Sequence, residues 1–405
     1  MQTDNYHTLL KLLAEAQNHP VACICLSNGF EDPYGQYEIL AGFGAVAEYH
    51  SPEELDKNDA LKLGFCSYDL KNIIEPLNSG HPQAVSVPDC YFFEPQRYFK
   101  LKRNSNQAET NMQLPEPVSC TQTRITPEFT CSSPKELYLN NVDSIKECIR
   151  NGDFYEMNYC LQFECNTCLD PYSLFAELNQ TAPAPFAVFF KYFDKFLLCS
   201  SPERFLAKRK DALTAQPIKG TRKRHADEAQ DWQVKTALSN SEKDRAENIM
   251  IVDLLRNDMS RVCMPGSVQV PELCKVYSFS HVHQMISTVT GQLQANKGFS
   301  DIIKATFPMG SMTGAPKIQV MKDVERFENF SRGWYSGSVG YWENGDFDFN
   351  VIIRSIQMDT GRETMYYHVG GAITSDSVPE DEYKECMEKA AGLLQTLKNQ
   401  AASNL

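Results

Sequence analysis

The sequence predicts an α+β fold: two layered, antiparallel-rich β-sheets wrapped by outer helices. Three observations predict it. Stretches with strand alternation come in runs, while helical periods fall between the runs and at the C-terminal end, an order unlike a regular βαβ alternation. Asn344-Gly345, set between two strand-like stretches, is a strong hairpin signal and so favours antiparallel pairing. The chain has 405 residues, 42% hydrophobic and 22% charged, enough to bury a large core or two domains. A polar stretch rich in Pro, Gln and Thr, 104–130, divides an N-terminal region (1–130), packing onto the main body, from that body (131–405).

The elements follow in order. Leu9, Leu10, Leu12 and Leu13 make 1–19 an amphipathic helix. Strands are expected at 21–26 and 38–49, joined by a loop holding Asp32-Pro33-Tyr34-Gly35, and at 91–101. Between them, 64–70 leads into a short helix. Ser133 and Pro134 start a helix that Gly152 can end. From Tyr155 to Glu164 residues alternate: Tyr155, Met157, Tyr159, Leu161 and Phe163 share one face. A helix near 171–180 precedes strands at 186–192, 196–200, 204–208 and 213–217. Residues 227–257 read as two helical segments broken near 239–241. Strands at 268–270 and 277–292, helices at 301–307 and 315–327, and strands at 336–342, 348–358 and 364–374 complete the body. The last helix starts from an apparent capping box, Ser377-Val-Pro-Glu380.

A net charge of −13 argues against nucleic acid or an anionic membrane surface as partner. A small anionic ligand then needs local cations or a metal. No apolar run reaches membrane-spanning length, and the first helix lacks the pattern of a secretory signal, so a cytoplasmic protein is expected. The 14 cysteines read as reduced core residues. Cys160, Cys165 and Cys168 share the spacing of an iron–sulfur motif, but no glycine-rich loop surrounds them.

Several motifs could carry chemistry. In Pro217-Ile-Lys219-Gly220-Thr221 a lysine sits between a rigid proline and a permissive glycine. Read alone it is a solvated turn; a lysine with a lowered pKa is also a nucleophile. Glu203, between two strands, is either a general acid or base or a surface partner of Arg204. Glu382 and Glu385 share a face of the last helix, and Glu247 lies on another helix. Three converging carboxylates need a cation, and oxygen ligands with room for water suit Mg²⁺; otherwise they are solvated helix-surface acids. Thr313-Gly314-Ala315-Pro316-Lys317 opens a helix whose N–H groups could meet an anion, or is an ordinary helix start. Gly370-Gly371 inside a strand marks a close backbone approach or a bulge. Arg354 is the only cation in the apolar stretch 349–356 and needs an anionic partner.

Taken together and in order, Ser201-Pro-Glu203-Arg-Phe, Pro217-Ile-Lys219-Gly-Thr221, Lys243-Asp-Arg-Ala-Glu247-Asn, Thr313-Gly-Ala-Pro-Lys317, Arg354, Gly370-Gly371 and Glu382-Tyr-Lys-Glu385 resemble the chorismate-utilising enzymes. That family includes anthranilate, isochorismate, salicylate and aminodeoxychorismate synthases. The resemblance runs over about 141–397. It implies that Lys219, where anthranilate synthases typically have alanine, attacks C2 of chorismate and expels the C4 hydroxyl with Glu203 as acid. Ammonia then adds at C4 and expels the lysine, giving 4-amino-4-deoxychorismate. It further implies Mg²⁺ on Glu247 and Glu385, with Glu382 close by or through water. Arg354, Gly370 and Gly371 would hold the pyruvyl carboxylate, and Gly220, Thr221, Thr313, Gly314, Ala315 and Lys317 would line the pocket.

Two positions depart from the family pattern. Glu156 stands where glutamine is usual, and where the water-using branches carry a lysine base. Gln284 stands where the family histidine is expected, with His283 on the other strand face. The sequence shows no Gly-x-Cys-x-Gly nucleophile elbow, so the resemblance implies ammonia from a separate glutamine amidotransferase subunit. The alternatives are anthranilate synthase chemistry, with ammonia at C2 and loss of pyruvate, or a non-catalytic ligand-binding protein.

Overall fold

The computed structural model describes residues 2–105, 107–117, 127–167, 169–279 and 282–402. The strands are β1 (Val21–Leu26), β2 (Tyr37–Tyr49), β3 (Lys62–Cys66), β4 (Cys90–Lys102), β5 (Ala108–Thr110), β6 (Thr130–Cys131), β7 (Glu156–Cys165), β8 (Phe186–Tyr192), β9 (Lys195–Ser201) and β10 (Arg204–Arg209). They continue with β11 (Ala212–Gln216), β12 (Ile218–Lys223), β13 (Gln269–Ser278), β14 (Val282–Gln292), β15 (Gly314–Ala315), β16 (Ser338–Glu343), β17 (Asp346–Asn350), β18 (Ser355–Asp359) and β19 (Thr364–Ile373). The helices are α1 (Gln2–Gln17), α2 (Lys71–Ile74), α3 (Lys135–Asn151), α4 (Pro171–Thr181), α5 (Glu228–Ser239), α6 (Glu242–Ser260), α7 (Phe299–Thr306), α8 (Lys317–Phe327) and α9 (Pro379–Ala402).

The fold is α+β, and the named strands pair antiparallel. Their pairings trace one continuous path: β15-β7-β19-β18-β9-β8-β1-β2-β4-β3-β16-β17-β10-β11-β14-β13, with β12 also beside β14. β2 makes the corner. It pairs with both β1 and β4 and is irregular between Ala45 and Ala47, where a bulge sharpens the bend. The layers therefore share strands. A core without helix residues lies between them, with Cys23, Phe65, Phe93, Phe190 and Leu197 buried. The outer faces are covered by helices. Leu12, Tyr138, Phe175 and Val320 sit in one helix-side core, and Ile251, Met259 and Phe299 in another.

Most elements fall where the periodicity places them. Gly152 ends α3 with a φ of 83°, the left-handed conformation that glycine adopts without penalty. Asp170 caps α4 through the Ser173 N–H. Five local expectations change. The short strand expected at 268–270 runs on to Ser278 as β13, and the strand expected from 277 begins at Val282 as β14. Residues 217–221 are not a turn: Ile218–Lys223 is strand β12. The 348–358 stretch breaks, because 351–354 lies between β17 and β18. The helix expected from 315 begins at Lys317, since Gly314 and Ala315 pair with β7. Ser377 forms no capping box with Glu380. Its hydroxyl donates to Glu382 at 2.7 Å, and Glu380 pairs with Lys135.

Cys160 and Cys165, an odd number of residues apart on β7, project to opposite faces into different cores; Cys168 lies outside the described residues. No helix among the described residues is long and apolar enough to cross a membrane.

Candidate active site

β12 comes from one end of the strand path and β7 from the other, and they meet at Lys219. β12 pairs with β14 through Ile218↔Ile286 and Thr221↔Gln284, and the register shifts between the two pairs. Lys219 and Gly220 are thus a bulge, a device that re-aims a side chain. Gly220 has a φ of 80°, and a Cβ there would lie 2.8 Å from Asp244 Oδ1. Lys219 points inward, its side chain only 11% exposed, and donates to Glu156 Oε1 on β7 at 2.7 Å. Burial works to lower the lysine's pKa, but Glu156, Glu247 and Glu203 outweigh it and raise it. At neutral pH the resting side chain is an ammonium.

Glu203 sits in the short link between β9 and β10. It makes no surface pair with Arg204, whose guanidinium instead binds Asp348 and Asp32. Glu203 is itself buried. Burial pushes its carboxyl up to about 7, against the Ser311 hydroxyl, Lys219, the Ile218 backbone and Arg354, all of which favour the anion. A carboxyl of that kind can donate a proton near neutrality.

Arg354 is exposed. It belongs to no strand and has a φ of 50°. This conformation is rare outside glycine and turns the side chain out of the strand pattern. Its charge still reaches Glu203. Gln284 is buried, with Nε2 3.5 Å from the Thr221 hydroxyl. His283 faces away, held by Asp231 and Ser278 in a buried network.

The helix-borne acids gather around Lys243. Ser241 caps α6 through the Asp244 N–H, which orients the first turns of that helix. Glu247 follows; burial raises its carboxyl to about 7, with Lys219 and Lys243 pulling it down and Glu156 adding to the rise. Glu382, on α9, is buried. Lys243 stands between them, 3.5 Å from Glu382 Oε1 and 4.0 Å from Glu247 Oε1. Glu385 is at the exposed rim. Desolvation pushes its carboxyl up, but Lys389, 2.9 Å away, with Lys243 and Arg222, brings it below the usual value. Among the described residues no three His, Cys, Asp or Glu side chains are drawn together tightly enough to hold a metal. In chemistry the set still fits a hard divalent cation: carboxylate oxygens only, around a lysine ammonium that supplies the positive charge they share.

The glycines act by proximity. A Cβ on Gly314 would lie 1.9 Å from the Glu156 carbonyl oxygen, so β15 can pair with β7 only as glycine there. Gly370 and Gly371 form no bulge, because β19 runs in unbroken register along β7. Gly370 packs on Cys160 and Tyr159; Gly371 faces Glu382, 3.3 Å from where its Cβ would be. Thr313 is fully buried, and its hydroxyl donates to the Met309 carbonyl. Lys317 stands apart from the others: its ammonium is taken up by Asp258 at 2.6 Å and the Thr306 carbonyl.

Three residues of the site were not singled out for these roles from sequence. Glu156 is the partner of Lys219, Ser311 binds Glu203, and Lys243 stands among the acids. Glu156 was marked only as a departure from the family pattern, and Lys243 only by its i,i+4 spacing to Glu247; Ser311 carried no signal.

The chain is 33% identical over 361 residues to aminodeoxychorismate synthase component 1 of Bacillus subtilis, covering 83% of this chain and 76% of that protein. It is 43% identical over 267 residues to a probable chloroplastic aminodeoxychorismate synthase of Oryza sativa, covering 65% of this chain but only 30% of that longer protein. In fold it matches the crystal structure of anthranilate synthase component I from Streptococcus pneumoniae, with a TM-score of 0.79 and 24% identity over 90% of this chain and 93% of that one. The model of the chorismate binding enzymes matches residues 16–395, nearly the whole chain, and the chain belongs to that family.

Proposed function

We propose that the chain aminates chorismate at C4, giving 4-amino-4-deoxychorismate, a precursor of para-aminobenzoate. One observation supports the reading: a bulge turns Lys219 inward onto buried Glu156, close enough for its charge to act on buried Glu203, where a solvated turn lysine would point outward. Lys219 is the nucleophile at C2 and Glu203 the acid that lets the C4 hydroxyl leave as water. Burial of Glu203 keeps a proton on it near neutral pH. Arg354 and the Gly370-Gly371 backbone receive the pyruvyl carboxylate, and Thr221, Gln284 and the 313–315 backbone wall the ring. Glu247, Glu382 and Glu385 would hold Mg²⁺, which would supply positive charge near the ring carboxylate. The likeness to a protein named component 1 supports a second subunit, a glutamine amidotransferase, as the source of ammonia. Chorismate and ammonia are water-soluble, which fits a cytoplasmic enzyme.

The test is incubation with chorismate, Mg²⁺ and excess ammonium at mildly alkaline pH, with products separated by chromatography. Aminodeoxychorismate is expected from the wild type, and Lys219→Ala should lose at least about a hundredfold in rate. Fluorescent anthranilate as the product would overturn the proposal.

A further inference from the structure

Glu156 uses only half of its carboxylate. Oε1 accepts from Lys219, while Oε2 is buried and has no hydrogen-bond partner among the described residues. The residue is 1% exposed. A buried carboxylate oxygen left unpaired is costly and calls for a donor. Its own surroundings offer none. The next inward-facing side chain on β7, Asn158, spends its amide on the Ser311 carbonyl, and β15 covers the other edge of β7 with backbone alone.

The chemistry proposed above names the missing donor. Two nitrogen nucleophiles must reach the same ring in turn: Lys219 at C2 and ammonia at C4. These carbons are 1,3-related, and the two oxygens of a carboxylate are spaced about as far apart as two such carbons. We propose that Glu156 is the ammonia-binding residue, with Oε1 holding the Lys219 nitrogen over C2 and Oε2 accepting an N–H of ammonia over C4. The assignment rests on the amination reading.

The protons and bonds balance. Lys219 passes a proton to Glu156 Oε1. Its nitrogen bonds to C2 as the C4–O bond breaks, and Glu203 protonates the departing oxygen, releasing water. Ammonium then gives one proton to the Glu203 carboxylate and docks as ammonia on Oε2. The new N–C4 bond forms as the C2–N bond to Lys219 breaks, and Lys219 recovers its proton from Glu156. The product leaves as an ammonium with the enzyme restored. In this cycle Oε2 is needed as a neutral acceptor at the moment ammonia binds, a role that an amide oxygen can also fill.

The experiment uses the full chain with ammonium chloride as nitrogen source and measures KM for ammonium and for chorismate separately. In Glu156→Met, of similar volume but without an acceptor oxygen, KM for ammonium should rise at least about tenfold while KM for chorismate changes less than about threefold. Glu156→Gln should keep KM for ammonium within about threefold of wild type. Both substitutions remove a carboxylate charge that holds Lys219 protonated, so at mildly alkaline pH solvent can take the lysine proton and intact mass after mixing with chorismate alone should show the lysine adduct in both variants, which also reports an intact pocket. An unchanged KM for ammonium in Glu156→Met, or equal rises for both substrates, would overturn the assignment. So would a Met variant that forms no adduct, because Glu156 would then serve Lys219 alone. Failure of the amination reading is seen separately, as a wild type that makes neither adduct nor aminodeoxychorismate.

Discussion

Glu203 and Lys219 are both shielded from water, yet their charges are treated oppositely. Lys219 is surrounded by three acids and stays charged; Glu203 is raised by burial to about 7. The sign for stability follows from linkage. Between the unfolded value of 4.5 and about 7 the folded chain holds a proton on Glu203 that the unfolded chain has lost, so its contribution falls as pH rises through that window. By about pH 8 the ionised, buried carboxylate costs on the order of 3 kcal/mol. Glu203→Gln should therefore stabilise the protein by up to about 3 kcal/mol at pH 8 and by little at pH 4.5, read by urea unfolding at both pH values. The same variant should lose about 10²–10⁴ in kcat, because glutamine cannot give the leaving hydroxyl a proton. In the wild type the acid must be protonated, so kcat should fall as pH rises above about 7. A flat profile there would remove Glu203 from that role.

The elements explain which residues could be read from sequence. Pro217-Ile-Lys-Gly-Thr221 singled out Lys219, but not its direction. That is set by a bulge against β14, more than sixty residues later in the chain, and no local pattern records a register shift. Arg354 was read as part of a strand because the apolar pattern continues around it; the break lies in its backbone, at a φ of 50°. Glu247 and Glu382 were legible as helix-face acids, but their approach depends on α6 and α9 packing from distant parts of the sequence. Lys317 was marked by its motif and instead serves Asp258, because motif membership does not say which partner a charge finds. Gly220→Ala tests the bulge itself. At a φ of 80° and 2.8 Å from Asp244, an alanine should cost about 1–2 kcal/mol in urea unfolding. It should lower kcat about tenfold or more by turning Lys219 away, more than that stability loss alone predicts at temperatures where the variant stays folded.

At the scale of the molecule, one strand path folded on itself brings its two ends together, and the acids of α6 and α9 close over the meeting point. Arg204 locks the closure, binding Asp32 from the N-terminal loop and Asp348 from β17 with no exposure of its own side chain. The molecule as a whole carries −13, and the site adds Glu156, Glu203, Glu247, Glu382 and Glu385 within reach of Lys219 and Lys243. To bind the proposed dianionic substrate, an acidic protein has to acquire positive charge locally, and Lys243 alone is a weak provider: its side chain is 58% exposed and it reaches two of the acids at 3.5 and 4.0 Å. Mg²⁺ should therefore stabilise the folded chain before any substrate is present. By mass action a hundredfold excess over its dissociation constant contributes about 2.7 kcal/mol, seen as a higher Tm in thermal melts and reversed by EDTA. Sodium chloride at equal ionic strength should not reproduce it. Glu247→Gln should abolish the shift by removing a ligand. Lys243→Met should enlarge it, because the metal no longer competes with an ammonium for the same carboxylates. A melt that ignores Mg²⁺ in the wild type would leave Lys243 as the cation these acids were built around.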